Sequence, residues 1–122
     1  MKTISLTLPY PPSLNNRWQL YRGKPRINPK SKKYHQDIYF LAKAEKWPRF
    51  GNMKLKIHVD VYSPDNRKRD LDNLGKDVWD ALQEAKVYDD DYQIVELTYR
   101  RKEPVKHGKV VISISPVLTD EI

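Results

Sequence analysis

The chain has 122 residues, no cysteine, a 39% hydrophobic fraction and a formal net charge of +7. That length holds one domain (1–122) with one modest core, and the missing thiols exclude disulfides, thiolate metal sites and a cysteine nucleophile. No stretch approaches the roughly 20 apolar residues of a membrane helix, and Met1 to Pro12 lacks the apolar core of a signal peptide, so the expectation is a cytoplasmic protein with no membrane partner.

Ile4, Leu6 and Leu8 alternate with Ser5 and Thr7, the period of a half-buried strand, which Pro9, Pro11 and Pro12 end. Residues 13–29 form a polar and aromatic loop in which Trp18-Gln19-Leu20-Tyr21 and Pro25-Arg26-Ile27 pair as a small hairpin around Gly23. From about Lys30 to Lys46 the apolar positions Tyr34, Ile38, Leu41 and Ala42 fall three or four apart, with Ser31 as the expected N-cap and Pro48 and Gly51 as stops. Leu55, Ile57, Val59 and Val61 then alternate with polar residues as a second strand, followed by turn chemistry at Ser63-Pro64-Asp65-Asn66.

A second helix is expected from Asp70–Asp72 to about Lys86. Leu71, Leu74, Val78, Leu82 and Ala85 form its apolar stripe, and Asp72, Lys76 and Asp80 lie opposite. After the acidic turn Asp89-Asp90-Asp91 come strands from Ile94 to Arg100 and from Val110 to Ile114. The order β-α-β-α-β-β gives an α+β fold: a mixed sheet of about four strands with two helices on one face.

Charge is distributed unevenly. Residues 1–56 hold thirteen Lys/Arg against two acids, and residues 57–122 hold ten against fourteen. A basic half of this kind is the footprint of a nucleic-acid surface more than of a membrane one, since no basic amphipathic helix stands out. Asn15, Asn16, Arg17, Lys24 and Arg26 mix donors and cations with Trp18 and Tyr21, a combination suited to distorted or unpaired strands. Lys32 and Lys33 oppose the dipole at a helix start, and Arg67-Lys68-Arg69 are placed to hold phosphates.

That basic run leads directly into Asp70-Leu71-Asp72-Asn73, with Lys76 four residues beyond Asp72. Acids commonly cap a helix start, and Lys76 makes an ordinary i,i+4 partner for Asp72. On spacing alone the capping and catalytic readings are about equal. If Asp70, Asp72 and Asp91 converge, their repulsion requires a cation, and oxygen-only ligands select Mg²⁺, or Mn²⁺, over zinc. His35, His58 and His107 show no paired ligand spacing, and no Gly-rich loop supports a nucleotide cofactor.

The chain resembles the RusA family of Holliday-junction-resolving endonucleases, which phages and prophages often carry. The resemblance runs nearly end to end. It begins at Ile4-Ser5-Leu6-Thr7-Leu8-Pro9 and Pro11-Pro12-Ser13. It continues through Arg69-Asp70-Leu71-Asp72-Asn73, Lys76 and Asp80-Ala81-Leu82 to Asp90-Asp91-Tyr92-Gln93-Ile94-Val95. It implies that Asp70, Asp72 and Asp91 hold catalytic Mg²⁺, with Lys76 as catalytic lysine and Arg69 as the adjoining basic residue. It also implies a homodimer that resolves four-way junction DNA in recombination and repair by paired symmetric nicks. Leu14 interrupts the Pro-Pro-Ser-Asn run, so the family role falls on Asn15 or Asn16, and Asp90 stands beside Asp91 as a possible sharer of the metal. The rival readings are a non-catalytic nucleic-acid-binding module and a metal nuclease for other branched DNA or RNA.

Overall fold

The computed structural model describes residues 3–12 and 18–117, excluding the side chains of residues 18–21, 27, 72, 73 and 75. Four strands form the main sheet: β1 (Ile4–Pro9), β4 (Leu55–Tyr62), β5 (Ile94–Arg101) and β6 (Lys109–Pro116). Their order is β1-β6-β4-β5, antiparallel except for the β4–β5 pair. Strands β2 (Trp18–Tyr21) and β3 (Lys24–Ile27) make the separate hairpin. Its two connecting residues, Arg22 and Gly23, both have positive φ (53° and 77°), the mirror-image turn whose twist suits adjacent strands.

Alternation in the strands becomes two chemically distinct faces. Leu6 and Leu8 stand beside Ile112 and Val110, and these beside Val59 and Val61, all buried. Tyr34 and Ile38 from α1 (Pro29–Ala44) and Val78, Ala81 and Leu82 from α2 (Gly75–Glu84) complete this core. Each such aliphatic side chain contributes about 1.5–3 kcal/mol when fully buried. The other face carries Ser5, Thr7, His58, Asp60, Thr98 and Ser113. There His58 bonds both Thr98 and Asp60 at 2.8 Å.

One helix cap and one helix start differ from expectation. Asn28, not Ser31, caps α1: its side chain accepts from the Lys30 amide at 2.8 Å, and Pro29 stands at the first helical position, where its missing N–H costs nothing. Ser31 is buried instead, and its hydroxyl donates to Asp77 Oδ2 at 2.9 Å. The second helix opens as a tight 3-10 turn, Leu71–Leu74, before becoming α-helical at Gly75. Its N-cap position, Leu74, makes no side-chain cap bond.

Strand direction gives the molecule two ends. At the upper end β4 and β5 finish and α1 begins, with Tyr34 Oη donating to Pro9 O at 2.8 Å. At the lower end β4 and β5 begin and both helices finish, joined by Phe50 N–H to Val87 O at 2.8 Å. An eight-residue strand such as β4 separates the two by roughly 25 Å, at about 3.3 Å per residue. The helices are tied together midway: His35 Nε2 meets Asp77 Oδ1, and its Nδ1 meets Glu84 Oε2, both at 3.0 Å.

Candidate active site

The upper end gathers the basic run. Asp65 Oδ1 accepts from the Arg67 amide at 2.9 Å and from Arg69 Nη1 at 2.7 Å. These contacts, the Arg69 hydrogen bond foremost, hold the Asp65 carboxyl below the usual carboxylate range. Arg101, at the end of β5, donates to Arg69 O at 2.7 Å. The Arg69 guanidinium also lies 5.9 Å from the Tyr10 ring centre. Tyr10 lies close against Gly108, where an added Cβ would come within 2.9 Å of Tyr10 Cβ and 3.0 Å of Pro64. Sterics therefore reserve position 108 for glycine, whose φ there is +69°. The outcome is a braced loop that presents Asp70 to solvent.

Asp70 caps nothing. Among the described residues its carboxylate accepts no hydrogen bond and forms no ion pair. Asp72 lies in the 3-10 turn, but its side chain is outside the described residues, as are Asn15, Asn16 and Arg17. Lys76 is exposed in the first turn of α2 and reaches forward to Asp80 Oδ1 at 3.2 Å, one turn on, with Asp80 mostly buried. Lys24 and Arg26 are exposed on β3, Lys68 in the loop and Lys32 on α1, whereas Lys33 pairs with Asp37 at 2.9 Å.

Asp91 belongs to the lower end. It opens a second 3-10 turn, Asp91–Gln93, whose N-cap is Asp90. The Asp90 side chain accepts from the Tyr92 amide at 3.0 Å, so this acid has a structural task. Gln93 holds the turn with its whole amide. Its Oε1 accepts from the Asp89 and Asp90 amides (2.9 and 2.7 Å), and its Nε2 donates to Gly51 O and Met53 O (2.8 and 2.7 Å). Gln83 on α2 accepts from the Asp91 amide at 3.2 Å. The Asp91 carboxylate itself is half-buried and has no hydrogen bond or ion pair among the described residues. Burial, then the charges of Asp91, Asp80 and Asp90, push the nearby Tyr88 hydroxyl up, and that hydroxyl donates to Trp79 O.

Within one protomer Asp70 and Asp91 therefore stand at opposite ends of the crossover helix. The described residues hold no group of three His, Asp or Glu placed around a common cation. Hard-cation ligation requires oxygens about 2.0–2.6 Å from the ion, far less than the span of α2. The donor chemistry suits Mg²⁺, with two available carboxylates, while one protomer alone does not assemble them.

No local pattern marks Gln83 or Arg101. Asp65 left a readable signal, its i,i+4 spacing from Arg69, which the turn composition obscured. Nothing in the spacing marked the buried Asp77 as the partner of Ser31 and His35, because those residues are more than 40 positions away.

Comparison with known proteins places these residues in context. Residues 9–115 match the family model described as Endodeoxyribonuclease RusA. A crossover junction endodeoxyribonuclease RusA of Shigella sonnei (strain Ss046) is 34% identical over 115 residues, covering 94% of this chain and 96% of the relative. The protein of the same name from Escherichia coli (strain K12) is 33% identical over the same shares. That of Enterobacteria phage HK97 is 35% identical, again over 94% and 96%.

Proposed function

The chain belongs to the RusA endodeoxyribonuclease family, and from that premise we propose that it is a Mg²⁺-dependent endonuclease resolving four-way DNA junctions in recombination and repair. The observation that carries this reading is the state of the acids. The likeness spans nearly the whole chain, and Asp70 and Asp91 leave their carboxylates without internal partners among the described residues.

Asp70, Asp72 and Asp91 are the residues that would hold the cation. When bound, such a cation supplies Lewis-acid polarisation of the phosphate and lowers the pKa of the attacking water. Lys76 stabilises negative charge developing on the phosphate, and Asp80 keeps its ammonium over that side of α2. Arg67, Lys68 and Arg69 position the backbone by charge-assisted contacts.

The separation of the two ends adds a requirement. Asp91 joins Asp70 and Asp72 only if a second copy supplies it, upper end of one protomer against lower end of the other. A twofold axis then generates two such sites at once, matching two opposed cuts in a junction. The homodimer is thus part of the chemistry in this reading.

The test is cleavage of a labelled mobile four-way junction with Mg²⁺ by wild type and Asp72→Asn. Paired symmetric nicks from wild type, lost in the variant while junction binding persists, support the proposal. Flap, linear or RNA substrates cut as well as the junction would overturn it in favour of a less selective nuclease.

A further inference from the structure

The lower end carries a second basic surface, separate from Arg67–Arg69 at the upper end. Both helices stop there, and their last turns with the following loop line a cleft of about 400 Å³. Lys43, Lys46, Arg49 and Lys86 project around it, with Tyr39 and Trp47 as ring walls. Lys43 Nζ lies 5.0 Å from the Tyr39 ring centre. Lys46, Arg49 and Lys86 have no carboxylate partner among the described residues. The neighbouring acids are otherwise engaged: Glu84 with His35 Nδ1 and Glu45 with Trp47 Nε1.

We infer that this cleft is a docking surface for the phosphate backbone of a duplex DNA arm, next to the turn that bears Asp91. Three observations lead there. Four cations line the cleft against one acid, Glu84, which is paired with His35, and a polyanion relieves the remaining repulsion. Both Lys46 and Lys86 adopt left-handed backbone, at φ 54° and 67°, one residue beyond the C-caps Glu45 and Ala85. Glycine is the residue suited to that position, and lysine there accepts strain while adding charge. The helix dipoles account for a lysine at each helix end but have no claim on Arg49.

The third observation is placement. The Asp89 amide donates to Gly51 O at 3.1 Å, and Gln93 clasps Gly51 and Met53. The loop bearing Lys46 and Arg49 is therefore stitched to the acidic turn. Backbone held in the cleft would run past Asp91. The inference rests on the nucleic-acid substrate of the proposed function and assigns a contact surface that the basic run does not supply.

The test exploits the backbone strain. Lys46→Gly with Lys86→Gly removes two charges and relieves two left-handed positions, so the variant should melt no lower than wild type. Arg49→Gln is the second variant, at an exposed position without strain. Binding of a labelled four-way junction is followed by fluorescence anisotropy between 50 and 200 mM salt, with Ca²⁺ replacing Mg²⁺ to block cutting. The glycine pair should weaken Kd on the order of tenfold and reduce the salt slope by about 1.8, with Arg49→Gln reducing it by about 0.9. A linear duplex of unrelated sequence should show the same loss, because phosphates carry no sequence.

Unchanged Kd and slope in both variants would overturn the inference and leave the lysines as dipole partners. The nuclease reading fails separately. Wild type that binds without cutting contradicts catalysis while the slope still reads the cleft, and cutting with unaltered variant binding retires the cleft alone.

Discussion

The two ends of the sheet hold acids of the same proposed site by different means. At the upper end, the loop before Asp70 is braced by charge: Asp65 grips Arg67 and Arg69 on an exposed surface, and Arg101 reaches Arg69 O. At the lower end, the turn bearing Asp91 is braced by neutral amides. Gln93 makes four hydrogen bonds with one side chain, and Gln83 adds a fifth. Exposed ion pairs are weak and screened by salt, whereas a saturated amide clasp is not. One end is thus a fixed platform, and the other is a loop whose set depends on its ionic surroundings.

Substitutions can break or sharpen that contrast. The largest effect on activity is expected from Asp70→Asn, which removes a proposed cation ligand: at least about a hundredfold loss in junction cleavage rate, with thermal melting unchanged because Asp70 is exposed and unpartnered among the described residues. Equal loss of melting temperature would make Asp70 a structural acid after all.

The largest effect on stability belongs between the two ends. Asp77→Ala removes a fully buried carboxylate from Ser31 and His35 and is expected to cost about 3–5 kcal/mol, as for other broken buried pairs. Denaturant unfolding checks this, and a change under about 1 kcal/mol would show that the helices do not depend on this tie.

Gln93→Glu follows. Its second carboxylate oxygen would face Gly51 O and Met53 O, replacing two donated bonds by repulsion. A loss of about 2 kcal/mol is expected, insensitive to salt, with cleavage falling further than junction binding. Gln93→Ala should fall between Glu and wild type; a wild-type cleavage rate in both would release Asp91 from dependence on the clasp.

The smallest effect is at Asp65. Asp65→Ala should weaken cleavage severalfold at low ionic strength and hardly at all near 1 M salt, where the Debye length is about 3 Å. The sign with pH is fixed by the depressed carboxyl. Its contact with Arg69 is fully present above the usual carboxylate pKa and is lost only as pH falls through the lowered value. A salt-independent effect would place Asp65 alongside Gln93 as a rigid brace.

Much of this architecture was legible from local patterns. The period-two alternation in Leu55–Val61 and Val110–Ile114 reappears as buried rows on β4 and β6, and the hairpin around Gly23 forms as expected. The α1 span is close to expectation, but its cap is not Ser31: that residue offers good cap chemistry, yet Asn28 followed by Pro29 offers a better frame. The 3-10 entry to α2 left no signal, since Leu71 and Leu74 fit either helix type. The acids themselves were visible in sequence, but the span between them was not. A motif records which residues occur in order, and only the direction of β4 and β5 shows that Asp70 and Asp91 part company within a protomer.

That span is most directly tested by mixing two dead variants. Asp70→Asn and Asp91→Asn homodimers are each inactive in this reading. After subunit exchange, a heterodimer keeps one intact site, built from the unaltered Asp70 of one copy and the unaltered Asp91 of the other. The expected result is restored nicking of a single junction strand in the mixture. No activity after demonstrated exchange would contradict the shared site and return all three acids to one protomer.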